Sequence, residues 1–250
     1  MKLTDLRGIL QYIPQFRERT FIINVDGAIV TDDNFANILV DIAVLRSLSI
    51  RVVLVHGASA QIRALAKEQG ITPSNLDGTG VTDEATLQLA LTAANRLTHE
   101  VLEGLSANDL RAASTNAVIA HPVGILHGVD HLFTGKVERV DVEMLQELLD
   151  RGIVPVLPPL GFDGEGKTYR VNSDGVALAV AEALKATKLM FITTQDGIRV
   201  GDRVIRQMPV SDLESVLALQ KTDIHPDMLS KAIHAAAACK AGNLSGGTPP

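Results

Sequence analysis

A chain of 250 residues, 46% of them hydrophobic, is long enough to bury a sizeable core, which excludes a disordered or fibrous protein. Its 23 lysines and arginines against 29 aspartates and glutamates leave a net charge of −6, without the basic footprint that nucleic acid or an anionic membrane surface calls for. The single cysteine, Cys239, excludes an internal disulfide, no stretch approaches the roughly 20 apolar residues of a membrane span, and Lys2, Asp5 and Arg7 break up any leader-like run, so a cytoplasmic protein is expected.

The aromatic fraction is only 3%, with no Trp, so the core must be filled by Ala, Val, Leu and Ile, the usual filling of a sheet between helices. Leu6, Ile9, Leu10, Ile13 and Phe16 stand at helical spacing and predict a short N-terminal helix over residues 5–17, with Pro14 as a point of interruption or kink. Residues 21–25 form a buried strand closed by Asp26-Gly27, and a helix follows over 33–48. The pattern repeats in the apolar run from Ile50 to Gly57 and a helix near 59–69 that stops at Gly70. Two successive strand–helix units favour a parallel sheet.

Residues 72–82 are rich in Gly, Thr, Ser and Asp and read as a surface loop, before an Ala- and Leu-rich helix over 84–105. Between about 114 and 140 alternation and Gly-rich flanks predict short antiparallel strands outside the main sheet. A helix at 141–150, a strand at 153–157, a helix at 175–185 and a strand at 188–192 bring the chain back to that sheet. Residues 227–240 are Ala-rich and helical, and 243–250 are small and polar, as in a disordered tail.

The turns at Asp26-Gly27 and His56-Gly57-Ala58-Ser59 follow strands and precede helices, where backbone N–H groups can receive an anion. They read equally as ordinary strand-to-helix turns, with Asp26 as a helix cap. Asp174 or Ser173 would cap the helix that follows Asn172, or Asp174 would organise a cation. Lys231 stands in an Ala-rich helix and is either a solvated side chain or the cation that answers such a site. His56 reads as a hydrogen-bonded structural histidine before it reads as a base. Zinc-ligand spacing, a Walker lysine loop and a nucleophile elbow are all missing from the sequence.

Taken in order, the segments 16–27, 53–58 and 171–174 resemble the amino-acid-kinase family, nearest to N-acetylglutamate kinase and the kinase-like domain of N-acetylglutamate synthase. The resemblance implies a three-layer αβα sandwich around a mainly parallel sheet, over residues 19–242, with an N-lobe to about 160, a nucleotide-side lobe from about 161, and the last strands of the fold missing. It also implies two phosphate loops. The first, Lys-x-Gly-Gly in the kinases, falls at Asn24-Val25-Asp26-Gly27, and the second, His-Gly-Gly-Gly, at His56-Gly57-Ala58-Ser59. The carboxylate-gripping Arg of the kinases falls near 78–82, where this sequence has none. Arg170 takes the first Asn place of an Asn-x-Asn-x-x-Asp pattern that Asn172 and Asp174 continue. Thr194 stands where the kinases carry an Asp, while Lys231 matches their late nucleotide-phosphate Lys.

These departures imply a domain of the N-acetylglutamate synthase type that transfers no phosphate and serves arginine biosynthesis by binding arginine or by assembling subunits through its N-terminal helix, where Tyr12 would line an effector site or pack in the core. The acetyltransferase domain that follows in such synthases is not expected in residues 1–250. Two alternatives stand beside this. One is an active N-acetylglutamate kinase using Lys231, Asp174 and Asn172 with ATP and Mg²⁺, and the other is a structural oligomer without a small-molecule ligand.

Overall fold

In the computed structural model, residues 14–200, 203–205, 208–219, 224 and 226–241 are described. The first thirteen residues, with Tyr12 and most of the expected N-terminal helix, and the tail at 243–250 lie outside that set. The main sheet is built from β1 (Thr20–Val25), β2 (Arg51–His56), β3 (Ala112–Ser114), β8 (Val154–Leu157) and β11 (Lys188–Ile192), in the order β11-β1-β2-β8-β3. Every pairing in it is parallel. Strands covered on both faces need apolar residues throughout, and this explains the near-continuous runs in β1, β2 and β8.

The period of two along a strand assigns the faces. Ile23, Val25, Val52, Leu54, Val154 and Val156 pack on one side against α2 (Phe35–Ser47), α3 (Ser59–Gln69) and the long α4 (Glu84–Ala107). Ile22, Val53, Val55 and Leu157 pack on the other side against α5 (Val142–Asp150) and α6 (Ser173–Ala183). The result is the expected three-layer αβα sandwich around a mainly parallel sheet. By the same period Asn24 falls on the α6 side, and it is buried there.

The short antiparallel strands expected between 114 and 140 are present, and two of them belong to a larger second sheet. β4 (Val118–Pro122) pairs antiparallel with β7 (Gly135–Val140), and β9 (Leu160–Phe162) and β10 (Thr168–Arg170) extend this into a second sheet of order β10-β9-β4-β7. A small hairpin, β5 (Ile125–Leu126) with β6 (Val129–Asp130), sits inside it. Sequence reading did not anticipate the four-residue helix α1 (Gly27–Val30), the hairpin β12 (Ile198–Val200) with β13 (Arg203–Ile205), or α7 (Val210–Leu219), which precedes α8 (Pro226–Lys240).

The strand order positions the site. From β1 the chain steps to β2 and beyond on one side, and returns to pair β11 on the other. Ligands in open α/β sheets bind outside the carboxyl ends of the strands at such a reversal. Val25 is level with both His56 and Ile192, so Asp26, Gly57 and Thr193 emerge together at that edge.

Candidate functional site

A cleft of about 250 Å³ lies at this edge. Asp26 and Gly27 from the first turn, Gly57 and Ser59 from the second, Asn172 and Asp174 at the start of α6, and Lys231 from α8 all line it. The fold thus brings together nine of the residues singled out above, with Asp26, Ser173 and Thr194 joining Gly27, Gly57, Ser59, Asn172, Asp174 and Lys231. Ala58 is buried behind the second turn rather than lining the cleft. Arg63, Asp77 and Ser230 also face it and were missed. Arg63 had a legible signal, since it stands one helical turn after Ser59 on the same face of α3.

Lys231 is the centre of the arrangement. The reading as a solvated lysine is corrected by its 6% exposure. Its Nζ lies 2.7 Å from Asp26 Oδ1 and 2.9 Å from Asp174 Oδ1. Burial by itself would lower the ammonium's pKa, but the charges of Asp174 and Asp26 and the hydrogen bonds they accept outweigh it, so the value is raised. Asn24 Nδ2 donates to the same Asp174 oxygen at 2.7 Å, while Asn24 Oδ1 is buried without a partner.

Capping is also reassigned. Asn172, not Asp174 or Ser173, caps α6, its Oδ1 accepting from Gly175 N at 3.0 Å. Its Nδ2 donates to the Asp77 carbonyl at 2.9 Å and so holds Asp77 at the cleft. Asp174 is thereby free to face Lys231. Asp26 stands at the start of α1 but makes no side-chain cap, being drawn to Lys231 instead.

The two turns close on each other. Asp26 N donates to Ile192 O and Gly57 N to Val25 O, each at 2.9 Å, so both strand-end N–H groups are already used. A Cβ on Gly27 would come within 2.9 Å of the Gly57 carbonyl and 3.2 Å of Ala58 Cα, closer than backbone can yield. The Gly27→Ala variant is therefore expected to lose about 1–3 kcal/mol of stability in urea unfolding, the usual cost of overpacking.

Arg170 does not reach the cleft. It is buried, its Nη1 donating to the Asn75 carbonyl at 2.8 Å and its Nη2 to the Leu76 carbonyl, so it stitches the 72–82 loop to the second sheet. Burial lowers its pKa to about 10, with Asp77 acting the other way, and it stays charged at neutral pH. His56 is the structural histidine expected. Its Nδ1 lies 3.1 Å from the Gly57 carbonyl and its Nε2 2.8 Å from Thr98 Oγ1, and burial pushes its pKa down to about 4 despite the Gly57 contact.

The amino acid kinase family model matches residues 19–246. The chain belongs to the amino acid kinase family. Among relatives, the amino-acid acetyltransferase of Vibrio cholerae is 36% identical over 228 residues, covering 86% of this chain and 51% of that protein. N-acetylglutamate synthase from Neisseria gonorrhoeae, complexed with coenzyme A and N-acetyl-glutamate, superimposes with a TM-score of 0.87 at 29% identity, covering 97% of this chain and 56% of that one. The same enzyme complexed with coenzyme A and L-arginine gives 0.85 at 27%, covering 96% and 58%. Carbamate kinase from Giardia lamblia bound to AMP-PNP shares the fold, with a TM-score of 0.64 at 15% identity over 89% of each chain. The chain spans about half the length of the acetyltransferases and synthases it matches.

The charges around the cleft are mostly paired within the protein. Among the described residues that line the cleft, Asp26, Asp77 and Asp174 stand beside Lys231 and Arg63, and Lys231 is paired with two of the three carboxylates. Oδ1 of Asp174 accepts from both Lys231 Nζ and Asn24 Nδ2. Among the described residues no group of three or more His, Cys, Asp or Glu side chains could hold a metal ion, and no helix is long and apolar enough to cross a membrane.

Proposed function

We propose that this chain is a kinase-like domain of the N-acetylglutamate synthase type that transfers no phosphate and serves arginine biosynthesis by binding arginine and assembling subunits in the cytoplasm. The observation that carries the first part is the Asp26–Lys231–Asp174 contact. Phosphoryl transfer rests on positioning and on free positive charge at the transferred group. Here the cleft's buried ammonium is neutralised from within, neutral Asn24 stands in the place of the first-loop Lys, and Asp26 adds a carboxylate where phosphate would come. MgATP does not fit this donor set.

Support for the effector comes from the family, since the Neisseria gonorrhoeae synthase is seen complexed with L-arginine. In this reading residues 19–160 and 161–242 form two lobes and the N-terminal helix, with Tyr12, contributes to subunit pairing and the effector site. Calorimetric titration of the whole chain with L-arginine tests it. Saturable heat with L-arginine and none with D-arginine is expected, and silence with both overturns the arginine-binding reading.

The alternative of an active N-acetylglutamate kinase has one observation in its favour, the meeting of Lys231, Asp174 and Asn172 at one cleft. The same contacts weigh against it, because they spend the charge of Lys231 on the protein itself.

A further inference from the structure

Asn172 also borders a second cavity, of about 330 Å³, between β7 and the helices α6 and α8. Val137, Val171, Leu178 and Ala179 give it apolar walls, and Lys136 and Glu182, both exposed, stand at its margin. An apolar hollow with a few polar groups of different character is the usual form of a small-molecule site.

His234 supplies the most informative of those groups. Its Nδ1 lies 2.7 Å from the Ser230 carbonyl, which can only accept, so Nδ1 carries the proton of the neutral ring and Nε2 presents a lone pair. That nitrogen borders the cavity beside Gly175, where a Cβ would lie 3.6 Å from it. A lone pair on a largely apolar wall calls for an N–H donor, and the Glu182 carboxylate calls for a cation. Lys136 calls for an anion, and the aliphatic walls call for a short hydrocarbon chain.

We propose that this cavity binds a free α-amino acid with an aliphatic side chain. Its ammonium group is held by His234 Nε2 and Glu182, its carboxylate by Lys136, and its side chain packs on Val137, Leu178 and Ala179. This site is separate from the cleft around Lys231 and from the arginine reading above. It joins β7 to α6 and α8, the helices that carry Asp174 and Lys231 into the cleft.

The test is a titration of the isotopically labelled full chain with L-leucine, glycine and L-arginine, followed by amide chemical shifts. L-Leucine is expected to move the amides of Lys136, Gly175 and Leu178 saturably, with a Kd on the order of 1 mM, the range open to so small a ligand. Glycine, which lacks the hydrocarbon chain, should bind at least about tenfold more weakly. Glu182→Gln and Lys136→Met lie at exposed positions and leave the fold intact, and each should weaken L-leucine about tenfold through loss of a charge-assisted contact. The proposal is overturned if L-leucine produces no saturable shift, if glycine or L-arginine binds there as well as L-leucine, or if the shifts appear only around Asp26 and Lys231.

Discussion

Lys231→Met is expected to destabilise the chain by about 3–5 kcal/mol, the cost of removing one partner from a buried ion pair and leaving the other uncompensated. The methylene stem is kept, so the loss reports the charge and not a cavity. Asp174 suffers most, being nearly inaccessible, whereas Asp26 is partly open to water. Urea unfolding at neutral pH reads the difference directly, and a loss below about 1 kcal/mol, the scale of an exposed pair, would show that Lys231 is not held as described. The double variant Asp174→Leu with Lys231→Met should recover part of the loss, because an apolar pair avoids the uncompensated charge. In the unmodified chain the raised pKa of Lys231 sets the sign of the alkaline limb. The stabilisation is complete below the unfolded value of about 10.4 and is lost as pH rises through the folded one.

The acid limb belongs in good part to His56. Its folded pKa of about 4 lies below the value of 6.5 in the unfolded chain, so the unfolded chain binds more protons between these values and stability falls as pH falls. The loss from this one group is about 2 kcal/mol by pH 5 and about 3 kcal/mol below pH 4, from roughly 1.4 kcal/mol for each unit of separation. His56→Gln keeps a side chain able to bond Thr98 and carries no titrating group. Its stability should therefore decline less steeply than the parent's between pH 6.5 and pH 4 in parallel urea titrations. Equal slopes would mean that His56 is already protonated in the folded chain.

Four of the five main-sheet strands and the major helices were legible because a sheet between helices demands apolar runs, which β1, β2, β8 and β11 carry and the three-residue β3 is too short to show. Motif order supplied the family and with it the cleft. What escaped depends on contacts between distant segments. Lys231 sits in a helix whose Ala-rich sequence marks no outward face, and its partner Asp174 is 57 residues away, so local periodicity could not tell burial from exposure. Asn172 was expected to lie at a ligand loop, and its role as the cap that frees Asp174 follows from backbone geometry at one helix end. Arg170 stands in the first Asn place of a motif and turns to the loop carbonyls of Asn75 and Leu76, because that loop folds back over the second sheet. The hairpin at 198–205 and α7 carry apolar patterns too short to stand out from the neighbouring turns.

Gly27 joins these observations. Its role as the one glycine kept in the first phosphate loop follows from the resemblance, whereas the structure gives it a different physical reason, the close passage of the Gly57 carbonyl. The strand-end N–H groups of Asp26 and Gly57 are bonded to Ile192 and Val25, and the proposed reading takes them as withheld from a phosphate. The most direct measurement of the account is therefore phosphoryl transfer from MgATP to N-acetyl-L-glutamate by the intact chain. The expected turnover is more than about a hundredfold below the 1–100 s⁻¹ typical of kinases, and unchanged by Lys231→Arg. Turnover within that hundredfold, abolished by Lys231→Arg, would contradict the account and make the cleft a working kinase site.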